Sequence, residues 1–391
     1  MKYGLFDYKT DNFGDEIQSI AARRFLPSID YYFDRDNIDN THTSEDIKII
    51  MNGWYTHHPD NWPPKNPHIK PLLISLHAEQ YRKSVISAFS STESINFLKA
   101  NAPVGARGTS TLKFLQNNQI DAYFSGCLTL TLNKAPNIKR REFILAVGID
   151  DEIYRKIKSR TKRPVLSIDT MHSTNLKRES RFAIAEYYLY LYQSAHCVIT
   201  NRLHCMLPCL AFDTPVLAIS GKEPKRLEGL IDLVHSTTKS KFLNKNFNEF
   251  PIENPPRNPK EYKKLRSNLE QTCYNFTNFD SHQSYLSFNN LNELTENINF
   301  REGIFQLIND GFIYQVQTDM LSQKIDLLYS KISQLDKNNA NLAEQIINLE
   351  KRIKLLTDVG IKGRLKDLSV AIKKKYRKSI NLQHHPETPH R

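Results

Sequence analysis

The chain has 391 residues, 39% of them hydrophobic, and a formal net charge of +12. That length suffices for two or three domains around a sizeable core, and no apolar run nears the roughly 20 residues a membrane-crossing helix needs. Five cysteines, an odd number with no Cys-x-x-Cys pair, exclude a disulfide scaffold or zinc ribbon as the organising device and read as reduced and buried.

In chain order, residues 2–8 read as a strand. They lack the apolar core of a signal peptide, so the cytoplasm is the expected compartment. Next comes Asp11-Asn12-Phe13-Gly14-Asp15-Glu16, a Gly-containing turn into a helix with acids in its first turn. Such an opening suits a nucleotide- or anion-binding α/β domain, although neither G-x-G-x-x-G nor G-K-[ST] occurs, and on these residues alone a plainly capped helix start is the preferred reading. A strand over 47–51 ends at Asn52-Gly53-Trp54-Tyr55. It enters a loop with Pro59, Pro63, Pro64 and Pro67 that also holds His57 and His58, long enough to be functional or mobile. The strand over 72–77 carries His77 at its carboxyl end. A helix over 92–100 precedes Gly105-Ala106-Arg107-Gly108, where glycines beside Arg107 let backbone and guanidinium approach a ligand closely. Thr109 or Ser110 then caps a helix over 112–119, and 120–124 leads to Ser125-Gly126-Cys127-Leu128-Thr129.

The polar stretch 133–141 marks a domain boundary, after which strands over 143–147 and 165–169 begin a second series. A loop over 170–179, containing His172, precedes an aromatic helix over 182–195. Its Tyr187, Tyr188, Tyr190 and Tyr192 suit core packing more often than a sugar platform. The most informative stretch follows, from Val198 to Leu207: a β-branched apolar strand, then Asn201, which can cap a helix that Arg202 begins, then His204 in the first turn. Ligands of open α/β sheets bind beyond strand carboxyl ends, and helix amino ends favour anions. Arg202 and His204 therefore suit a phosphate or carboxylate and a nearby proton transfer; a surface cap and a packed histidine are the bland alternative. Pro208 should bend this helix. After a strand over 216–220, Lys222, Lys225 and Arg226 lead into a helix expected over 227–234. Residues 239–259 read as loop, 262–274 as a closing helix, and 277–316 give no clear pattern.

Strand–helix alternation thus occurs twice, in lobes placed at 1–135 and 142–300, for an α/β fold of two Rossmann-like lobes with a cleft between them. Beyond them, Ile325, Leu328, Ile332, Leu335, Asn339, Leu342, Ile346, Leu349, Ile353 and Leu356 alternate spacings of three and four. Ile at a, Leu at d and one Asn at a predict a parallel, dimeric α-helical coiled coil over 318–358. Residues 361–391 read as a basic amphipathic tail. From residue 351 onward twelve basic and three acidic residues carry +9 of the net charge, leaving the body near neutral. That tail suits an anionic membrane surface; nucleic acid is the weaker alternative, and a merely solvated tail the bland one.

Together, Asn12-Phe13-Gly14-Asp15, Asn52-Gly53-Trp54, Gly105-Ala106-Arg107-Gly108 with Ser110, Ser125 to Thr129, and Asn201-Arg202-Leu203-His204 with Thr214-Pro215 make a chain that resembles the polysaccharide pyruvyl transferases over about residues 1–235. One departure is Gly108, where many members carry an Asp. The resemblance implies a GT-B-like fold and transfer of enolpyruvyl from phosphoenolpyruvate to two hydroxyls of a surface polysaccharide sugar or its lipid-linked precursor. No cofactor and no metal are expected, and the site is expected on the cytoplasmic side, peripheral to the inner membrane face. On this reading Arg107, Arg202, Lys222 and Lys225 bind the donor. Guanidinium suits both its carboxylate and its phosphate. His204 and Arg202 are the catalytic candidates, with His204 as acid or base, and Asn12, Asp15 and His77 face the acceptor. A sugar-nucleotide glycosyltransferase of the same architecture and a non-catalytic scaffold are the competing readings.

Overall fold

The structure is a computed structural model that describes residues 1–55, 57–171, 175–220, 227–279 and 296–309, with Glu293 and Ala371 besides. Two parallel β-sheets organise them. The first holds β1 (Lys2–Asp7), β2 (Tyr31–Asp34), β3 (Ile47–Met51) and β4 (Ile69–Leu73) in the order β2-β1-β3-β4. Next, β5 (Val104–Ala106) and β6 (Ala122–Phe124) pair with each other and join the row through a parallel bridge from Leu76 to Ala106. The second sheet holds β7 (Ile144–Val147), β8 (Val165–Ile168), β9 (Cys197–Thr200), β10 (Val216–Ser220) and β11 (His235–Thr238), in the order β8-β7-β9-β10-β11. Both sheets therefore repeat one winding: the second strand lies outside the first, and the third lies on the first strand's other side. That reversal opens a crevice beyond the carboxyl ends of the first and third strands.

The sequence shows why these strands are central. Every residue of β7 is fully buried, as are Cys197, Val198 and Ile199 of β9, and a parallel strand covered on both faces needs such an unbroken apolar run. The helices are α1 (Gly14–Arg23), α2 (Lys83–Phe89), α3 (Thr92–Ala100), α4 (Thr109–Asn117), α5 (Asp151–Lys158), α6 (Arg178–Ser194), α7 (Leu203–Ala211), α8 (Lys239–Leu243), α9 (Tyr262–Thr277) and α10 (Ile298–Asn309). Helix α1 is buried over nearly its whole length. One apolar cluster joins its Ile17 and Ile20 to Tyr188 and Tyr192 of α6 and to Leu207 and Leu210 of α7. Polar residues on the same helix are matched across that junction. Arg181 donates to Glu16 within the buried interior, and Arg23 reaches Glu186 at 2.6 Å.

Several elements differ from expectation. Strands β2 and β11 and helix α2 carry too short a pattern to stand out, whereas α5 is capped by Asp150 and buries Ile153, Tyr154 and Ile157 on one face, a signal the sequence reading leaves unused; α8 falls within 239–259, expected as loop. Residues 227–234 form turns with one 3-10 turn, Ile231–Leu233, rather than a helix. The closing helix continues to Thr277 and stops where Asn278 turns left-handed at φ 55°. Within the stretch left unassigned, α10 packs on α6, where Gly303 lets Ile184 and Ser180 approach; an added Cβ would lie 2.9 Å from Ile184 Cδ1. All five cysteines are buried and unpaired, and burial pushes the Cys197 thiol up to about 12. No helix among the described residues is long and apolar enough to cross a membrane. The predicted coiled coil over 318–358 and, Ala371 apart, the basic tail over 361–391 lie outside the described residues, as do His172, Lys222 and Lys225.

Candidate active site

The crevices of the two sheets open onto one cleft of about 930 Å³. Arg107, just past β5, reaches it from the first sheet. Arg202 and His204, just past β9, reach it from the second, and Asn12 and Asp15, on the loop from β1 to α1, line it as well. The structure thus brings five of the residues singled out in the sequence into one hollow.

Arg202 owes its position to three local features. It occupies the N-cap position of α7 in extended conformation rather than the first helical turn, and Asn201, expected there, stands one residue earlier. The Thr200 hydroxyl accepts from the Arg202 amide at 2.9 Å and so fixes the turn before the helix, while no side chain caps α7, the role expected of Asn201. Gly148, at φ 65°, leaves room for the guanidinium stem: an added Cβ there would lie 2.8 Å from Arg202 Cγ. Finally, Asp169, at the end of β8, takes both of its oxygens to Arg202 Nη2 at 2.6 and 2.8 Å, while the amides of Thr170 and Met171 donate to its Oδ1. The guanidinium is therefore held from one corner. Its Nε is buried without a hydrogen-bond partner among the described residues.

His204 is placed by a proline and a glycine. Pro208 has no N–H to donate to the carbonyl four residues back, which belongs to His204. The helix is irregular at that residue, with φ −80° and ψ 17°, so the bend anticipated from Pro208 falls one turn upstream. The imidazole then packs on the amino end of α1, where an added Cβ on Gly14 would come within 3.0 Å of His204 Nδ1. The turn before α1 is closed by Asn12, whose Oδ1 accepts from the Gly14 amide at 3.0 Å. It is tied across the cleft by the Phe13 amide donating to the Thr170 carbonyl at 2.8 Å. A Gly14→Ala variant is expected to fold with the His204 ring displaced by a fraction of an ångström, and for a catalytic His204 that displacement would cost about tenfold or more in turnover. Steady-state kinetics beside a thermal melt check this; unchanged turnover would show that His204 has slack.

A buried charge cluster lies under the first-sheet side of the cleft, and the sequence reading missed it. Arg35, just past β2, has a fully buried side chain and contacts Asp15 Oδ2 at 3.0 Å and Asp36 Oδ2 at 2.8 Å. Its guanidinium lies 4.9 Å from the centre of the Tyr8 ring. Asp15 also accepts from the Thr10 hydroxyl at 2.9 Å and from Gln18 Nε2 at 3.2 Å. Burial pushes the Asp15 carboxyl up, but Arg35, His204 and Thr10 outweigh it and hold it below the ordinary carboxylate value. For Asp36, burial is likewise outweighed, with the Arg35 guanidinium against it at 2.8 Å, and the net direction is the same. Native carboxylates of this kind bind fewer protons than unfolded ones. Their contribution to stability is present above the unfolded value of 3.8 and is lost as pH falls through the lower native values. Asp36→Asn is therefore expected to flatten the acid limb of a stability–pH profile measured by urea unfolding; an unaltered limb would mean that Asp36 is not ionised there.

Other candidates lie elsewhere. His77 is 3% exposed; it sits behind Trp54, ring centres 6.4 Å apart, with its Nδ1 3.4 Å from the Thr111 hydroxyl. Tyr188, Tyr190 and Tyr192 are core residues of α6. Gly105 serves packing, since an added Cβ would lie 3.0 Å from the Ser125 side chain and 3.2 Å from the Ile74 backbone. The Ser125 hydroxyl also accepts from the Ser75 amide at 3.1 Å. Among the described residues no group of three or more His, Cys, Asp or Glu is placed to hold a metal ion.

An α/β protein with arginines from both sheets lining one cleft, and a histidine at a helix start two residues after one of them, can hold a small anion against a second substrate. The family model for polysaccharide pyruvyl transferase matches residues 12–223, more than half of the chain, and the chain belongs to that family of transferases. Comparison with curated proteins gives no match, and comparison with solved structures gives none.

Proposed function

We propose that the chain transfers the pyruvyl unit of phosphoenolpyruvate to two hydroxyls of one sugar, in a surface polysaccharide or its lipid-linked precursor. The observation that carries this reading is the meeting of Arg107, Arg202 and His204 in one cleft. Phosphoenolpyruvate carries a carboxylate and a phosphate on three carbons, and guanidinium groups on opposing walls suit both. The repeated winding of the two sheets supports a two-lobe, GT-B-like arrangement with lobes at 1–135 and 142–300.

The chemistry follows from the donor. A proton delivered to the methylene carbon turns the adjacent carbon into an oxocarbenium-like centre, which one sugar hydroxyl attacks, losing its proton. Phosphate then leaves with the electron pair of its C–O bond, and the second hydroxyl closes the ketal, losing its proton in turn. One of the two hydroxyl protons replaces the one given to the methylene, and the other accompanies phosphate. His204 is the proton carrier in this scheme. Arg202, steadied by Asp169, and Arg107 neutralise the dianion and the departing phosphate. Lys222 and Lys225 remain donor-binding candidates from the sequence.

The test is direct. Purified protein is given phosphoenolpyruvate and a lipid-linked or aryl-linked hexose, with phosphate release and the mass of the acceptor followed together. Turnover requiring UDP- or GDP-sugar would favour a glycosyltransferase instead. Absence of any thermal shift with phosphoenolpyruvate would favour a scaffold.

A further inference from the structure

With the cations gathered around Arg107, Arg202 and His204, the sugar must meet the wall that carries Asp36, Trp54 and His57. The His57 ring packs beside Trp54, centres 5.1 Å apart. Its Nδ1 lies 2.9 Å from Arg35 Nη2 and 3.4 Å from Asp36 Oδ2. Arginine offers only N–H donors and does not deprotonate. At the shorter contact Nδ1 must therefore accept, and the ring proton must reside on Nε2. The Asp36 oxygen does not need that proton, because Arg35 Nη2 already donates to it at 2.8 Å. Arg35 has no freedom to withdraw, since its side chain is fully buried and anchored at the other end by Asp15.

We propose that His57 is an acceptor-binding residue of the cleft, fixed by Arg35 as an Nε2–H donor to a hydroxyl oxygen of a neutral hexopyranose. This deepens the pyruvyl transfer reading and rests on it. Trp54 beside the imidazole gives the C–H groups of a pyranose ring an aromatic surface. Asp34 and Asp36 line the same wall. Together with Asp11 they outnumber Lys9, which lines the cleft with them and pairs with Asp34 at 3.6 Å, so the wall opposes a sugar bearing its own carboxylate, and uronic acids are disfavoured as acceptors while uncharged hexoses are accepted.

The full-length protein is assayed with saturating phosphoenolpyruvate against a panel of aryl hexopyranosides and the matching aryl uronides. Hexosides are expected to be turned over, with kcat/KM for the uronides lower by about tenfold or more. His57→Ala is expected to raise the KM for the hexoside about tenfold while leaving that for phosphoenolpyruvate unchanged. His57→Gln, which carries an N–H near the place of Nε2, restores most of the loss. Nitrogen NMR of histidine-labelled protein should show His57 with a bare Nδ1 and a protonated Nε2. A proton on Nδ1, an unchanged hexoside KM in His57→Ala, a parallel rise in both KM values, failure of Gln to rescue, or uronides used as readily as hexosides would each overturn the assignment. Phosphate release by the unmodified protein separates the two levels. If it is absent with every sugar, the transfer reading fails and this assignment with it; if it is present while the His57 variants behave as the parent, only His57 loses its role.

Discussion

On the proposed pyruvyl transfer, replacing Arg202 by alanine is expected to lower kcat/KM for phosphoenolpyruvate by about a thousandfold, the scale on which a positioned charge acts at a departing phosphate. Two losses combine. The donor forfeits a guanidinium whose Nε and remaining Nη are free of Asp169's grip, and Asp169 loses the charge that its two oxygens face while keeping the amides of Thr170 and Met171. Arg202→Lys should not restore activity, because a single ammonium cannot engage Asp169 and an oxyanion in the fixed fork geometry of arginine. Asp169→Asn should lose less, roughly ten- to a hundredfold, since the guanidinium stays but its orientation loosens. Circular dichroism should show all three variants folded. Retention of turnover by Arg202→Ala would remove the donor site from this end of the cleft.

The second large effect falls on stability. Arg35→Met is expected to cost about 3–5 kcal/mol, the usual penalty for removing one partner of a buried ionic group. Asp15 is 2% exposed, and with Arg35 gone its carboxylate would lose the buried guanidinium that offsets its desolvation and be left to the weaker support of Thr10, Gln18, Asn12 and His204. The loss should be strongly non-additive. Adding Asp15→Asn to Arg35→Met recovers part of it, because the orphaned charge goes with the substitution. Urea unfolding of the four proteins in this cycle measures the coupling. Additive effects would show that Arg35 and Asp15 do not share their charge.

The parts of the site legible in the sequence are those announced by a change of pattern. Val198-Ile199-Thr200 followed by Asn201-Arg202-Leu203-His204 signals a buried strand running into a helix, and the structure places Arg202 and His204 in the cleft. The turn at Asn12 and Gly14 is announced in the same way. Arg35 and Asp36 are not, because β2 is four residues long and is followed by turns rather than a long helix, so nothing in its neighbourhood marks a strand end. Asp169 could be seen only as the last residue of a strand; its partnership with Arg202 is a contact between residues 33 positions apart. His77 shows the opposite failure. The strand-end rule draws attention to it, but β4 ends at Leu73, the chain turns at Ser75 with φ 54°, and His77 is buried beside Trp54 rather than lining the cleft.

Helix α1 has one more implication. It is stitched to α6 by Glu16 with Arg181 and by Arg23 with Glu186, and Arg181 also donates to the Thr10 carbonyl at 2.7 Å. Swinging the two sheets apart along this spine would strand several charges in an apolar seam. Substrates are therefore expected to enter and leave through rearrangement at the cleft's outer rim, with the back of the molecule acting as a rigid binding, and hydrogen exchange should be slowest along α1.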